Sequence, residues 1–583
     1  AEMQAVEQAM SPKLTAHSGA IMMNDGLFER VKSVYDRRGA LGLDSLQIRL
    51  TEKLYRRFVR GGALLSAEDK EQLRKVDEEL SSARVKYAAN LLAANSGFEI
   101  VISNYDDLEG LPSSVRDAAA TEASARGLKG KWVFTTKKPS MLPFLTYSSK
   151  RELREKLYRG YLDRCNYNDS IDNKQVINDI VRLRTERAHL LGYPTHAHYV
   201  LDVQMARTPE NVYAMMDDLW TPALERAKAE MEAMREMMKS ETGLDDFASW
   251  DWWYYAEKVR KSKYQLDEEA VRQYLSLDNV REGMFYLANR LYGITFRPIT
   301  APRYHKECTV YQVLDHDQSH LGVLYIDPHP RSEKSGGAWC TSFREAGYDI
   351  EGNKISPLVS LVLNYSAPTG NAPALLSWDE TETLWHEFGH GLHALFSDGK
   401  YSRTCGNVPR DYVELPSQVM ENWAGDPEVL RMYAKHWQTG EVIPETIINK
   451  LENSGLFNQG FVTTEFLAAA ILDMEYHKLK EINDDFNAAE FEKAKMDEIG
   501  LIGEIYPRYR STYYSHIFAG GYSAGYYVYY WAAVLDSDAF SYFKESGDLF
   551  NQELAAKFRQ HCLQECGNDE GMVQYKKFRG QEP

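Results

Sequence analysis

A chain of 583 residues, 44 % hydrophobic and 26 % charged, exceeds the size at which one hydrophobic core stops growing, and its composition excludes a disordered protein. Its 85 acidic against 68 basic side chains give a formal charge of −17, which repels phosphate backbones and sets nucleic acid aside as a partner. The longest apolar run, Ala524 to Leu535 with its tyrosines counted as apolar, falls far short of the roughly 20 residues of a membrane span.

The opening AEMQAVEQAM lacks the basic start and apolar run of a secretory leader. Six cysteines (Cys165, Cys308, Cys340, Cys405, Cys562, Cys566) are too dispersed for a disulfide framework, so reduced thiols and a cytoplasmic location are expected. The alternative is a periplasmic or envelope protein whose leader has been removed.

From the start to about Lys129, apolar residues recur at helical spacing, and Ser66 with Asp69 has the spacing of a helix start. The region reads as stacked antiparallel helices. A long amphipathic stretch from Pro209 to Lys239 places Met231, Met234 and Met238 on one face, which is read as core packing. After Tyr292 the texture changes to short β-rich runs: VYQVLDHD, LGVLYIDPHP and SPLVSLVLNYSAP. From Ser377 the helical pattern returns, interrupted at Ser397 to Pro409 and around Gly520. No repeat of 20 to 50 residues appears. The expected fold is mainly α with a small β-sheet, divided into an N-terminal helical region, 1–145, and a catalytic region, 146–583.

The segment SWDETETLWHEFGHGLHALF opens with Ser377 and Glu380 at capping-box spacing, so His386 and His390 share a helix. Four positions apart, they offer two nitrogens to one metal ion from adjacent turns, with Glu387 beside them. The bare HExxH pattern arises by chance in roughly three of a hundred such chains, so the weight falls on the next helix-like run, NVPRDYVELPSQVMENWA. There Glu414 supplies a third ligand and leaves a fourth position open for water. Glu382, Gln418 and Glu421 are candidates for orienting the ligands through hydrogen bonds. His393, seven positions beyond His386, is read as supporting the ligands through hydrogen bonds or as a packing residue, not as a ligand. His196 and His198 in THAHY, and His561, Cys562 and Cys566 in HCLQEC, lack complete ligand sets.

A second cluster, HIFAGGYSAGYYVYYW, places Tyr522, Tyr526 and Tyr529 at i, i+4 and i+7. A helical reading puts the three phenols on one face, as donors to an oxyanion; the other reading is a tyrosine-rich helix that packs.

The sequence resembles the thimet oligopeptidase and neurolysin family of zinc metallopeptidases, in particular its bacterial dipeptidyl carboxypeptidase branch. SMLPFLTYSSKRELREKLYRGY, LLGYPTHAHYVL, WDWWYYAEK, YIDPHPRSEKSGGAW, PALLSWDETETLWHEFGHGLHALF, RDYVELPSQVMENW and HIFAGGYSAGYYVYYW follow in family order over the whole chain. Gly525 before the tyrosine pair and the extra residue in HIFAGGY are similar to the carboxydipeptidase pattern. The resemblance implies a prolate helical body with a small sheet beside the active site and a deep central channel admitting short unfolded peptides. It implies one zinc ion on His386, His390 and Glu414, Glu387 as general base, Tyr529 as oxyanion donor, and His516, Tyr522 and Tyr526 as substrate contacts. A monomer releasing C-terminal dipeptides is expected, with internal cleavage as the alternative; the intact Glu387 argues against a non-catalytic peptide binder. Both termini depart from the family pattern, as a trimmed chain would. A substrate backbone is expected to add to an exposed sheet edge at Leu358 to Tyr365.

Overall fold

The computed structural model describes residues 2–583 except 332, 369, 405, 407 and 484, and describes Cys566 by its backbone alone. Seven helices matter for the site and its supports: α1 (Ala67–Gly97), α2 (Lys174–Leu190), α3 (Pro209–Thr242), α4 (Trp378–Phe396), α5 (Leu415–Ala424), α6 (Gln459–His477) and α7 (Val528–Glu545). Five strands form the one sizeable sheet among the described residues: β1 (Thr295–Pro298), β2 (Thr309–Leu314), β3 (His320–Asp327), β4 (Trp339–Arg344) and β5 (Leu358–Val362). The fold is therefore mainly helical with a small sheet, as the sequence implies.

Contacts divide the chain into two compact units, each assembled from three segments. The first comprises Ala1–Ile100, Arg151–Trp252 and Asn458–Tyr527; the second comprises Val101–Lys150, Trp253–Phe457 and Val528–Pro583. A division at 145/146 thus runs through both.

The first unit is a stack of helices. Local rules set its boundaries: Ser66 Oγ accepts from the Asp69 amide at 3.1 Å and starts α1, as its spacing predicts. Met234 and Met238 of α3 are buried, and Met231 is half-buried, so the methionine face packs inward. The crossing of α3 and α6 depends on Gly460, where a Cβ would meet the Ala227 nitrogen at 2.4 Å. The Glu230 carboxylate accepts from the amides of Gly460 and Phe461 at 3.2 and 3.0 Å, meeting the positive end of α6.

In the second unit the sheet runs β1-β2-β3-β5-β4, with β3 and β5 parallel and the other pairs antiparallel. β5 is hydrogen-bonded on both sides, so Leu358–Val362 is not the exposed edge expected from the sequence; its amides and carbonyls are consumed by β3 and β4. The free edges are β1 and β4. One face of the sheet carries α4, which packs on β3, β4 and β5. Leu384, Trp385, Phe388, Leu392, Leu395 and Phe396 bury the remainder of that helix.

Cys165, Cys308, Cys340 and Cys562 are free thiols; Cys405 and the Cys566 side chain lie outside the described residues. No helix among the described residues is long and apolar enough to cross a membrane.

Candidate metal centre

Helix α4 begins where Ser377 Oγ accepts from the Glu380 amide at 3.0 Å and Glu380 Oε2 accepts from the Ser377 amide at 2.8 Å. Starting there, the helical period places His386 and His390 on one side, one turn apart, their rings 5.0 Å apart and crossed at 84°. Glu414 stands at the junction between a short helix, Arg410–Val413, and α5. Gly389 lets α5 come this near: a Cβ there would stand 2.2 Å from the Pro416 carbonyl oxygen and 2.6 Å from the Ser417 Cα.

The three groups converge. Glu414 Oε2 lies 3.3 Å from His386 Nε2 and 3.1 Å from His390 Nε2, and one ligand atom from each residue falls within 4.8 Å of the others. Glu414 is fully buried, and Ser417 Oγ sits 2.8 Å from its carbonyl and 3.1 Å from Oε2, fixing its rotamer. His386 Nδ1 is 2.5 Å from Glu421 Oε1. An imidazole that gives its Nδ1 proton to Glu421 turns the Nε2 lone pair toward Glu414, and a lone pair facing a carboxylate calls for a cation between them. Burial opposes charge on Glu414; cationic His390 and His386 would hold its carboxyl well below the usual range, and with neutral imidazoles a metal ion takes over that positive charge. The donor set therefore fits a divalent metal ion.

Glu387 faces a different environment. It is 4 % exposed, and its Oε2 has no hydrogen-bond partner among the described residues. Burial pushes its carboxyl above the usual range. On β4, burial and the nearby Glu387 carboxylate together push the Cys340 thiol up.

Residues 144–583 match Peptidase family M3. The chain belongs to Peptidase family M3. Among curated relatives, it is 38 % identical over 591 residues to the dipeptidyl carboxypeptidase of Escherichia coli (strain K12), covering all of this chain and 86 % of that one. It is 33 % identical over 592 residues to oligopeptidase A of the same strain, with the same coverages. The solved structure of PZ peptidase A with an inhibitor shares the fold at 13 % identity, with a TM-score of 0.54 over 99 % of this chain and 83 % of that one. The family resemblance read from the motifs is borne out, and this M3 peptidase is a metallopeptidase.

The outer residues of the M3 site behave unequally. Glu421 touches His386 as expected. Gln418 bonds none of the three candidate ligands among the described residues: its Nε2 donates to the Tyr529 carbonyl at 2.9 Å, tying α5 to the first turn of α7. Glu382 bonds none of the three ligands among the described residues; burial, then Glu421, pushes its carboxyl up to about 8. His393 is buried and stands outside the ligand group. Replacing Glu421 with Gln removes the anion that orients His386, and chelator competition is expected to show metal affinity lowered about 10- to 100-fold.

The tyrosine segment departs from the helical reading. Helix α7 begins only at Val528, and Ala519–Tyr527 forms turns, so Tyr522, Tyr526 and Tyr529 do not share a helical face. The cause is Asp473, whose carboxylate accepts from the amides of Ala524, Gly525 and Tyr526 at 2.8, 2.8 and 2.9 Å and captures donors that a helix would use. Tyr526 is 2 % exposed and stacks on Phe466 with ring centroids 4.6 Å apart, so it supports its neighbours. His516 and Tyr522 lie side by side, ring centroids 5.8 Å apart. His196 pairs with Ser523, His198 with Thr195 and His561 with Glu565; none joins a ligand group among the described residues, and the Cys566 side chain lies outside them.

Sequence reasoning missed Ser417, Gly389 and Asp473. Ser417 is three residues after Glu414, a spacing that could have found it. Gly389 lies inside the HEFGH motif. Asp473, some fifty residues from its partners, gives no local signal.

Proposed function

We propose that this M3 peptidase binds one zinc ion through His386, His390 and Glu414 and releases dipeptides from the C-termini of short unfolded peptides. The observation that carries the metal assignment is the spacing of the donors. Ligand atoms on a tetrahedral zinc with bonds of about 2.0–2.1 Å stand about 3.3 Å apart, and the separations of 3.3 and 3.1 Å agree. When bound, zinc supplies a Lewis acid that acidifies a water and polarises a carbonyl.

The chain's own groups do the remainder. Glu387 Oε2, buried and unpartnered, takes the proton of the attacking water and passes it to the departing amine. The Tyr529 hydroxyl donates to the oxygen that gains charge, and the Gln418 bond to its backbone steadies the residue for that role. A peptide backbone adds to the free edge of β4, the strand that carries Cys340 beside Glu387. His516 and Tyr522 contact the substrate, a role carried over from the family motifs.

Dipeptide release is supported by the 38 % identity to a dipeptidyl carboxypeptidase, and the oligopeptidase A relative supplies the alternative of internal cleavage. A pentapeptide with a blocked N-terminus and its C-terminally amidated twin separate them. Recognition of a free carboxylate predicts that amidation lowers kcat/KM by about a hundredfold, the cost of losing a charged hydrogen-bonded group, with a dipeptide product found by mass spectrometry. Equal rates on both peptides would select internal cleavage.

A further inference from the structure

The first compact unit holds a buried polar chain that the reaction as outlined does not use. It begins at Arg184 of α2, which is 3 % exposed and lies 2.8 Å from His477 Nε2 through Nη1. A guanidinium only donates, so His477 Nε2 accepts, and the imidazole proton sits on Nδ1. That nitrogen is 2.8 Å from Asp473 Oδ1, to which it donates. Burial holds His477 below its ordinary pKa, which keeps the ring neutral between the cation and the anion. Asp473, fully buried on α6, then accepts the three consecutive amides of 524–526.

Further side chains of the same unit hold the segment as well. Arg84 Nη2 of α1 donates to the carbonyls of Ala519 and Gly520 at 2.9 and 3.0 Å, and His196 Nε2 is 3.0 Å from Ser523 Oγ. Two features show that the backbone conformation is a constrained one. Ala524 adopts φ +48, the left-handed region that an alanine enters only at a cost. Gly520 packs so near His516 that a Cβ would stand 2.8 Å from its carbonyl oxygen. A segment with no helical or strand ladder of its own is thus fixed by Asp473, Arg84 and His196, and its half-buried Tyr522 lies two residues before Ala524.

We propose that Asp473, oriented by His477 and Arg184, is a positioning residue for the peptidase reaction: it fixes the 519–526 segment in the conformation that presents Tyr522 to the substrate peptide. The inference rests on the reading of Tyr522 as a substrate contact. A carboxylate serves three amides with two oxygens, whereas an amide side chain offers one oxygen and turns an N–H toward the others.

The test compares Asp473→Asn, Tyr522→Ala and the double variant in the full chain. For each, KM and kcat are measured on the blocked pentapeptide, metal content is assayed, and amide hydrogen exchange is followed at 524–526. Asp473→Asn is expected to raise KM by about tenfold or more, to leave metal content unchanged, and to speed exchange at the three amides by about tenfold. Adding Tyr522→Ala is expected to raise KM no further. If Tyr522→Ala raises KM while Asp473→Asn accelerates exchange without raising KM, the clamp serves folding alone and the proposal is overturned. If Tyr522→Ala leaves KM unchanged, the substrate-contact reading fails, and the positioning role fails with it. Should Asp473→Asn not fold, His477→Gln loosens the carboxylate less severely; a KM raised about threefold supports the proposal, and an unchanged KM overturns it.

Discussion

Glu387→Gln is expected to yield a folded protein with its full complement of metal that cleaves peptides about 10²- to 10⁴-fold more slowly, with KM little changed. The substitution keeps shape and volume, so the packing of α4 on the sheet is undisturbed. It spares His386, His390 and Glu414, whose convergence depends on Glu421, Ser417 and the close approach at Gly389. What it removes is the ability to accept a proton. The wild-type carboxylate suits that task because burial raises its affinity for a proton and because Oε2 has no hydrogen-bond partner among the described residues. Single-turnover kinetics on the blocked pentapeptide, with metal measured on the same sample, gives the result. Wild-type cleavage by the metal-loaded variant would remove Glu387 from the mechanism.

The convergence of His386, His390 and Glu414 was legible because its determinants are local. A capping box at Ser377, two histidines four apart and a carboxylate heading the next helix each act over a turn or two. Glu421 was legible for the same reason, being two helical turns beyond Glu414. Gln418 shares that periodicity, but its partner is a backbone carbonyl 111 residues away, and no spacing rule reaches so far. The sheet edge failed for a related reason. LVSLV reads as a buried strand whether it is central or peripheral, and the parallel pairing with β3 that makes it central is a choice of topology. The tyrosine segment misled because a helical period was read through Gly525, while the amides that would have closed the helix were captured by Asp473. Both compact units draw on three separated segments, so the contacts that assemble them leave no compositional boundary in the chain.

Asp251→Ala is expected to lower the stability of the first unit by about 3–5 kcal/mol, the cost of breaking a buried ion pair from one side, seen as a shift in the denaturant midpoint. Asp251 is fully buried and accepts from Arg151 Nε at 3.1 and 3.0 Å, Arg151 Nη2 at 2.8 Å, Arg154 Nη2 at 2.8 Å and the Ala248 amide at 3.1 Å. The two arginines do not share the loss equally. Arg151 retains 27 % side-chain exposure and also bonds Asp246, so water and a second carboxylate can compensate it. Arg154 is 2 % exposed, and deleting Asp251 strips the carboxylate from a guanidinium that water does not reach. Arg151→Ala is therefore expected to cost only about 1 kcal/mol. The decisive comparison is Asp251→Leu combined with Arg154→Met, which removes both buried charges and fills their volume. If an uncompensated cation causes the loss, the pair recovers most of it; if the double variant is as unstable as Asp251→Ala, the loss lies in the capped turn at Ala248 and not in the charge.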